Sequence, residues 1–254
     1  MLRSLVIFLA TAAFTIGAPP KTEDLSVLVV RGGHHYDTPD FENMCLGLES
    51  VEVDLVLSAH LHQFSAAEIE ERYDAILFLN QNKHYPAKPR TRKLYMELAT
   101  QGVGMVFLQF TLSSHPEWDE YHELIGGKWF LKDYTEDLEL HSTYYKDLTL
   151  DIQILDRNHP VTKGLEDFTM TDAYYGNIHV APEVHPLLGT KHPDIASTIA
   201  WTHQYKNSKV VYIMPGFTKG AYEHKSYIQL IENALRYVAK QPSPNQKRPL
   251  PKRP

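Results

Sequence analysis

Four short apolar runs, each separated from the next by helix-like spacing, limit what this chain can become. "LSVLVV" (25–30) is uninterrupted and rich in β-branched residues, as a strand buried on both faces is. "VEVDLVLS" (51–58) alternates with period two, "DAILFLN" (74–80) is again continuous, and "GMVFLQF" (104–110) is the fourth run. Residues 38–48, 65–72 and 88–101 between them carry helical spacing. Ser65 followed by Glu68 is a capping-box signature, and Pro39 suits a first helical turn. This alternation of strand and helix predicts an α/β fold with a mostly parallel central sheet and helices on both faces. The second half is less regular. Residues 148–155 alternate strongly, and "IASTIAWTHQY" with "SKVVYIMP" (208–215) predicts a hairpin turning at Lys206, Asn207 and Ser208. Residues 222–239 predict an amphipathic closing helix through Tyr227, Ile228, Leu230, Ile231, Ala234, Leu235 and Val238.

Both ends fall outside that pattern. Residues 1–18, "MLRSLVIFLATAAFTIGA", read as a secretory signal peptide: Arg3 gives the positive start, residues 5–16 an apolar core too short to span a bilayer, and small residues follow. Cleavage is expected after Gly17 in preference to Ala18, because Pro19 would directly follow the second cut, giving a secreted or periplasmic protein with no stable membrane insertion; an uncleaved anchor is the minor alternative. Residues 240–254 are proline-rich and basic and predict a disordered tail. Residues 19–239 remain as one domain, long enough for a single core. The net charge of −6 becomes −7 when Arg3 leaves with the signal, a balance that gives no reason to expect nucleic acid. Cys45 is the only cysteine, so no internal disulfide can form, which fits a bacterial periplasm better than an animal extracellular fluid.

In an open parallel sheet, ligands bind outside the carboxyl ends of the strands. The first run leaves through "RGGHHYD" (31–37), the third through "NQNKHY" (80–85), the fourth through "QFTLSSHPEW" (109–118) and the last through "MPGFTKGAYEH" (214–224). Five of the 14 histidines fall in these loops: His34, His35, His84, His115 and His224. Imidazole moves protons near neutral pH, so His34, His115 and His224 are the catalytic candidates. The paired glycines before His34 let backbone approach a ligand at Gly33. Asn80, Gln109 and Tyr36 suit hydroxyl groups, and Trp118 and Tyr222 are aromatics on the same polar rim. Each has an ordinary alternative as a capping, turn or packing residue. There is no Gly-x-Ser-x-Gly elbow, no phosphate-binding Gly-x-x-x-x-Gly-Lys loop, no His-Glu-x-x-His and no Cys-x-x-Cys. His115 and His122 stand seven apart, but Pro116 is expected to start a helix after His115, so no metal and no cofactor is expected.

These segments together resemble the ThuA-like family, trehalose-utilisation relatives of the class I glutamine amidotransferase fold. The resemblance spans about residues 25–239. "VLVVRGGHHYDTPDF", "YDAILFLNQN", "GVGMVFLQFTLSSHPEWDEYHELIGGKW", "NHPVTKGLEDFTMTDAYYGNIHV" and the closing "IAWTHQYKNSKVVYIMPGF" occur in the family's order and spacing. It implies a flavodoxin-like three-layer sandwich and a link to disaccharide metabolism. The sequence departs from the family at three positions. Gln109 stands where the family usually has histidine and amidotransferases have their nucleophilic cysteine. Phe217 replaces the histidine of a frequent Gly-His, and Ala173 replaces the glutamate of an Asp-Glu pair. Cys45 cannot replace the missing nucleophile, so glutamine amidotransferase chemistry is not expected. The expectation is a protein acting on, or binding, a small-molecule carbohydrate such as a disaccharide or keto-sugar derivative. The alternative is a non-catalytic sugar-binding or protein-interaction domain.

Overall fold

The third and fourth apolar runs become β3 (Ala75–Asn80) and β4 (Gly104–Leu108), and every residue of both is buried. Such strands need cover on both faces, which is why they lie inside a parallel sheet. The computed structural model describes residues 24–132 and 137–240; the expected signal peptide (1–18) and the expected tail beyond Lys240 lie outside them. β1 (Leu25–Gly32) pairs parallel with β3 on one side and with β2 (Val51–Leu57) on the other. β2 is the edge strand, and its period-two alternation keeps Glu52 exposed. β4 continues the parallel set to β11 (Ser208–Ile213).

Beyond β11 the sheet turns antiparallel. β10 (Thr198–Tyr205) forms the expected hairpin with β11, then β9 (His185–Gly189), β6 (Thr143–Ile154) and β7 (Phe168–Gly176) complete nine strands in the order β2-β1-β3-β4-β11-β10-β9-β6-β7. A separate two-stranded sheet joins β5 (Gly127–Lys128) to β8 (His179–Val180). Helix α1 (Thr38–Leu46), short α5 (Lys219–Tyr222) and α6 (Lys225–Val238) pack together on one face. α2 (Ala66–Arg72) packs on α3 (Pro89–Gln101), and α3 and α4 (Asp119–Ile125) both pack on β11, forming the other layer of a flavodoxin-like three-layer sandwich. Ser65 closes its capping box: its hydroxyl accepts from Glu68 N at 3.2 Å while Glu68 Oε2 accepts from Ser65 N at 2.7 Å. No helix among the described residues is long and apolar enough to cross a membrane.

Several boundaries differ from expectation for local reasons. The closing helix is two helices, because the chain leaves helical geometry after Tyr222 and His224 takes an extended N-cap conformation for α6. α1 stops at Leu46, where Gly47 takes up the freed carbonyls. β4 ends at Leu108, and Gln109–Ser113 wind into a 3-10 turn. Pro116 does not open α4, which starts at Asp119 after a turn in which Trp118 N donates to His115 O. β6 begins at Thr143, well before the expected strand.

Candidate functional site

The turn after β4 sets the site. Gln109 has φ +46°, a left-handed conformation that costs an ordinary residue about 1–2 kcal/mol. Its side chain is completely buried. Gln109 Oε1 accepts from the Tyr175 hydroxyl at 2.5 Å, and the Gln109 carbonyl accepts from the Tyr212 hydroxyl at 2.8 Å. Gln109 Nε2 has no protein partner. Whichever way the amide is turned, one polar atom meets Tyr175 and the other is left over.

Gln109 lines a cavity of about 270 Å³ at the carboxyl ends of β1, β3 and β4, at the small end of the roughly 300–1,000 Å³ typical of ligand pockets. Its walls are aromatic. The His34 ring stacks on Phe110 at 4.9 Å, and Phe217 stands edge-on to both. Across the cavity, Trp129 meets Tyr175 edge-on at 4.6 Å and Tyr144 lies 6.3 Å from Phe217. Polar groups are few: Gln81, Lys83 and Ser113 join His34 and Gln109. Gln81 Nε2 donates to Ser113 Oγ at 2.6 Å, which fixes that amide.

Two features set the protonation of this cavity. His34 Nδ1 lies 2.6 Å from the His35 carbonyl. A carbonyl only accepts, so Nδ1 carries the proton and Nε2 of the neutral ring keeps its lone pair. Burial, then the Asp172 and Asp147 carboxylates, push the Tyr144 phenol up to about 12, and burial raises Tyr175 as well. Both tyrosines therefore stay neutral hydroxyls near neutral pH.

The Phe217 backbone is held by a carboxylate. Asp172, at no measurable exposure, accepts from Gly216 N at 2.6 Å and Phe217 N at 3.2 Å through Oδ2, and from Thr218 N at 2.9 Å through Oδ1. Burial raises the Asp172 pKa despite these donors.

The expected site residues separate into three groups. His34 and Gln109 share the aromatic cavity, with Tyr36 behind it, its half-buried ring 5.6 Å from Phe110. Gly33, Asn80 and His115 line a different cavity, and Gln81 lines both. Trp118, Tyr222 and His224 line neither. Trp118 packs against Tyr95, His115 and Tyr121; the Tyr222 hydroxyl donates to Gly216 O at 2.9 Å; His224 caps α6 beside Phe168. Gln81, Lys83, Phe110 and Ser113 lie in loops already singled out but were not picked from them. Tyr144 and Tyr175 come from the antiparallel half, where the paired aromatics in "TYY" and "AYYG" are their sequence signal, and Trp129 and Leu131 from the segment after β5. Among the described residues, no group of three or more His, Cys, Asp or Glu is placed to hold a metal ion.

Residues 26–238 match the sequence profile of the family described as ThuA, trehalose utilisation. No curated protein matches the chain by sequence. Among solved structures, a protein described as ThuA-like from Parabacteroides merdae is 14% identical, with 88% of this chain covering 94% of that one at a TM-score of 0.66. A cytoplasmic protein from Salmonella typhimurium is 16% identical, with 85% of this chain covering all of that one (100%) at a TM-score of 0.62. A β-galactosidase from Bacillus circulans is 10% identical, with 83% of this chain matching 30% of the enzyme at a TM-score of 0.55. At these identities the structural likenesses speak for the fold.

Proposed function

The chain belongs to the ThuA, trehalose-utilisation, family, and from that footing we propose that its aromatic cavity receives one ring of a disaccharide or keto-sugar derivative and that the protein acts on it. The observation that carries this reading is the leftover amide of Gln109 in a largely aromatic wall. A buried donor without a partner is costly, and a sugar hydroxyl satisfies it while the C–H face of the ring lies on Phe110, Trp129 or Phe217. His34 is the proton-transfer group in this reading, with Nε2 as the base. Abstraction of a proton from a hydroxyl, or from a carbon beside a keto group, needs one such base. Hydrolysis by paired carboxylates is not supported, since no Asp or Glu lines this cavity.

A second reading, sugar binding without turnover, is favoured by Gln109 itself, because an amide stands where the family usually places an imidazole and an amide cannot carry a proton. Calorimetric titration and turnover assays with disaccharides and their keto derivatives separate the two. Gln109→Met is expected to lose binding, and His34→Ala to keep binding and lose turnover. A wild-type protein that binds a sugar and never converts it supports the second reading. Unchanged affinity in both variants removes the sugar from this cavity.

The positive start and short apolar core of residues 1–18 support export to the periplasm. N-terminal sequencing of the periplasmic protein is expected to begin at Ala18 or Pro19. An intact Met1 on a cytoplasmic product refutes export.

A further inference from the structure

The second cavity, about 650 Å³, is the larger of the two. Its depth is formed by Asn80 at the end of β3, Tyr95 of α3 and His115. Asn80 is 4% exposed and His115 2% exposed, yet Asn80 Oδ1 and His115 Nδ1 have no protein partner. Buried polar atoms are nearly always satisfied, and these two residues line the same space. One polar atom of the Asn80 carboxamide meets the Tyr95 hydroxyl and the other is left over, an acceptor or, with the amide turned, a donor. An imidazole kept neutral by burial offers one donor and one acceptor. A hydroxylated compound meets both demands.

The mouth has a different character. Lys88 and Arg90 are exposed on it, and neither enters an ion pair among the described residues. Nearby Arg92, by contrast, is committed to Glu117 at 3.2 Å. His62 adds a third basic group at the same mouth, and no Asp or Glu lines the cavity.

We propose that this cavity binds a small polyhydroxylated anion, its hydroxyl groups meeting Asn80 and His115 and its negative group held at the mouth by Lys88 and Arg90. Charge-assisted bonds of this kind are the stronger class of hydrogen bond, and the arginine fork suits phosphate and carboxylate alike. The anion is therefore a sugar phosphate or a sugar acid.

The test is calorimetric titration of the full chain at low salt with glucose 6-phosphate, glucuronate and neutral glucose. Binding of either anion at this cavity is expected, with glucose binding there at least tenfold more weakly; which anion binds identifies the charged group. Lys88→Glu combined with Arg90→Glu, two exposed changes, is expected to lower anion affinity at least tenfold, as is raising the salt concentration. Asn80→Leu, which removes the buried amide without adding charge, is expected to weaken it as well. Failure of both anions to bind, or unchanged anion affinity in the charge-reversed protein, overturns the proposal. The aromatic cavity is read separately through the His34 and Gln109 variants, so each site can fail without the other.

Discussion

Gly33 answers to two constraints at once. Its φ is +80°, and a Cβ added there would lie 1.9 Å from the Gln81 carbonyl oxygen. Gln81 lines both cavities and Gly33 lines the larger, so this close approach fixes backbone common to both. Gly33→Ala is expected to destabilise the protein by about 2 kcal/mol or more, combining left-handed strain with a backbone clash. Urea denaturation measures it, and an unchanged midpoint would mean that the loop moves freely away from Gln81. The pair of glycines was conspicuous in the sequence as a place for close backbone approach. What the backbone approaches was not, because Gln81 is distant in sequence. At Gln109 the substitution of an imidazole position by an amide could be read directly, whereas its partnership with Tyr175 and its leftover atom required a strand from the other half of the chain.

At the scale of elements, the parallel half was legible because β1, β3 and β4 are continuous apolar runs, β2 alternates, and the chain between them carries helical spacing with a capping box at Ser65. β6 and β7 were harder. β6 is mostly exposed on its early residues, so only its buried end, from Leu148, showed alternation. β7 mixes exposed Thr169 and Thr171 with buried Tyr174 and Tyr175 and carries a buried Asp172, a pattern that no single period describes. The loop after β11 depends on that aspartate. Asp172→Asn keeps one acceptor oxygen and gives up the charge, weakening the bonds from Gly216, Phe217 and Thr218. Amide hydrogen exchange at Phe217 and Thr218 is expected to quicken at least tenfold. Unaltered exchange at these amides would show that the loop is held by its other contacts.

Across the whole molecule, acid should weaken the fold. Burial lowers both His115 and His122 to about 4, against about 6.5 in an unfolded chain. Between those values the unfolded state takes up protons that the folded state refuses. Stability is therefore full above about pH 6.5 and is lost as pH falls toward 4, by on the order of 3 kcal/mol for each histidine. Asp172, with its raised pKa, acts in the opposite sense above the usual carboxylate range, because the folded state holds its proton longer. His115→Asn, which tolerates the φ of +51° at that position, should flatten the fall in melting temperature between pH 7 and pH 5. An identical slope in the variant would dismiss His115 as a cause. The change of strand direction beyond β11 has a consequence of its own. The parallel half contributes His34, Gln81 and Gln109 to the aromatic cavity, while the antiparallel half brings Tyr144 and Tyr175. Each half supplies part of one wall, so residues of the antiparallel extension can be exchanged to admit a different guest while the loops of the parallel half stay as they are.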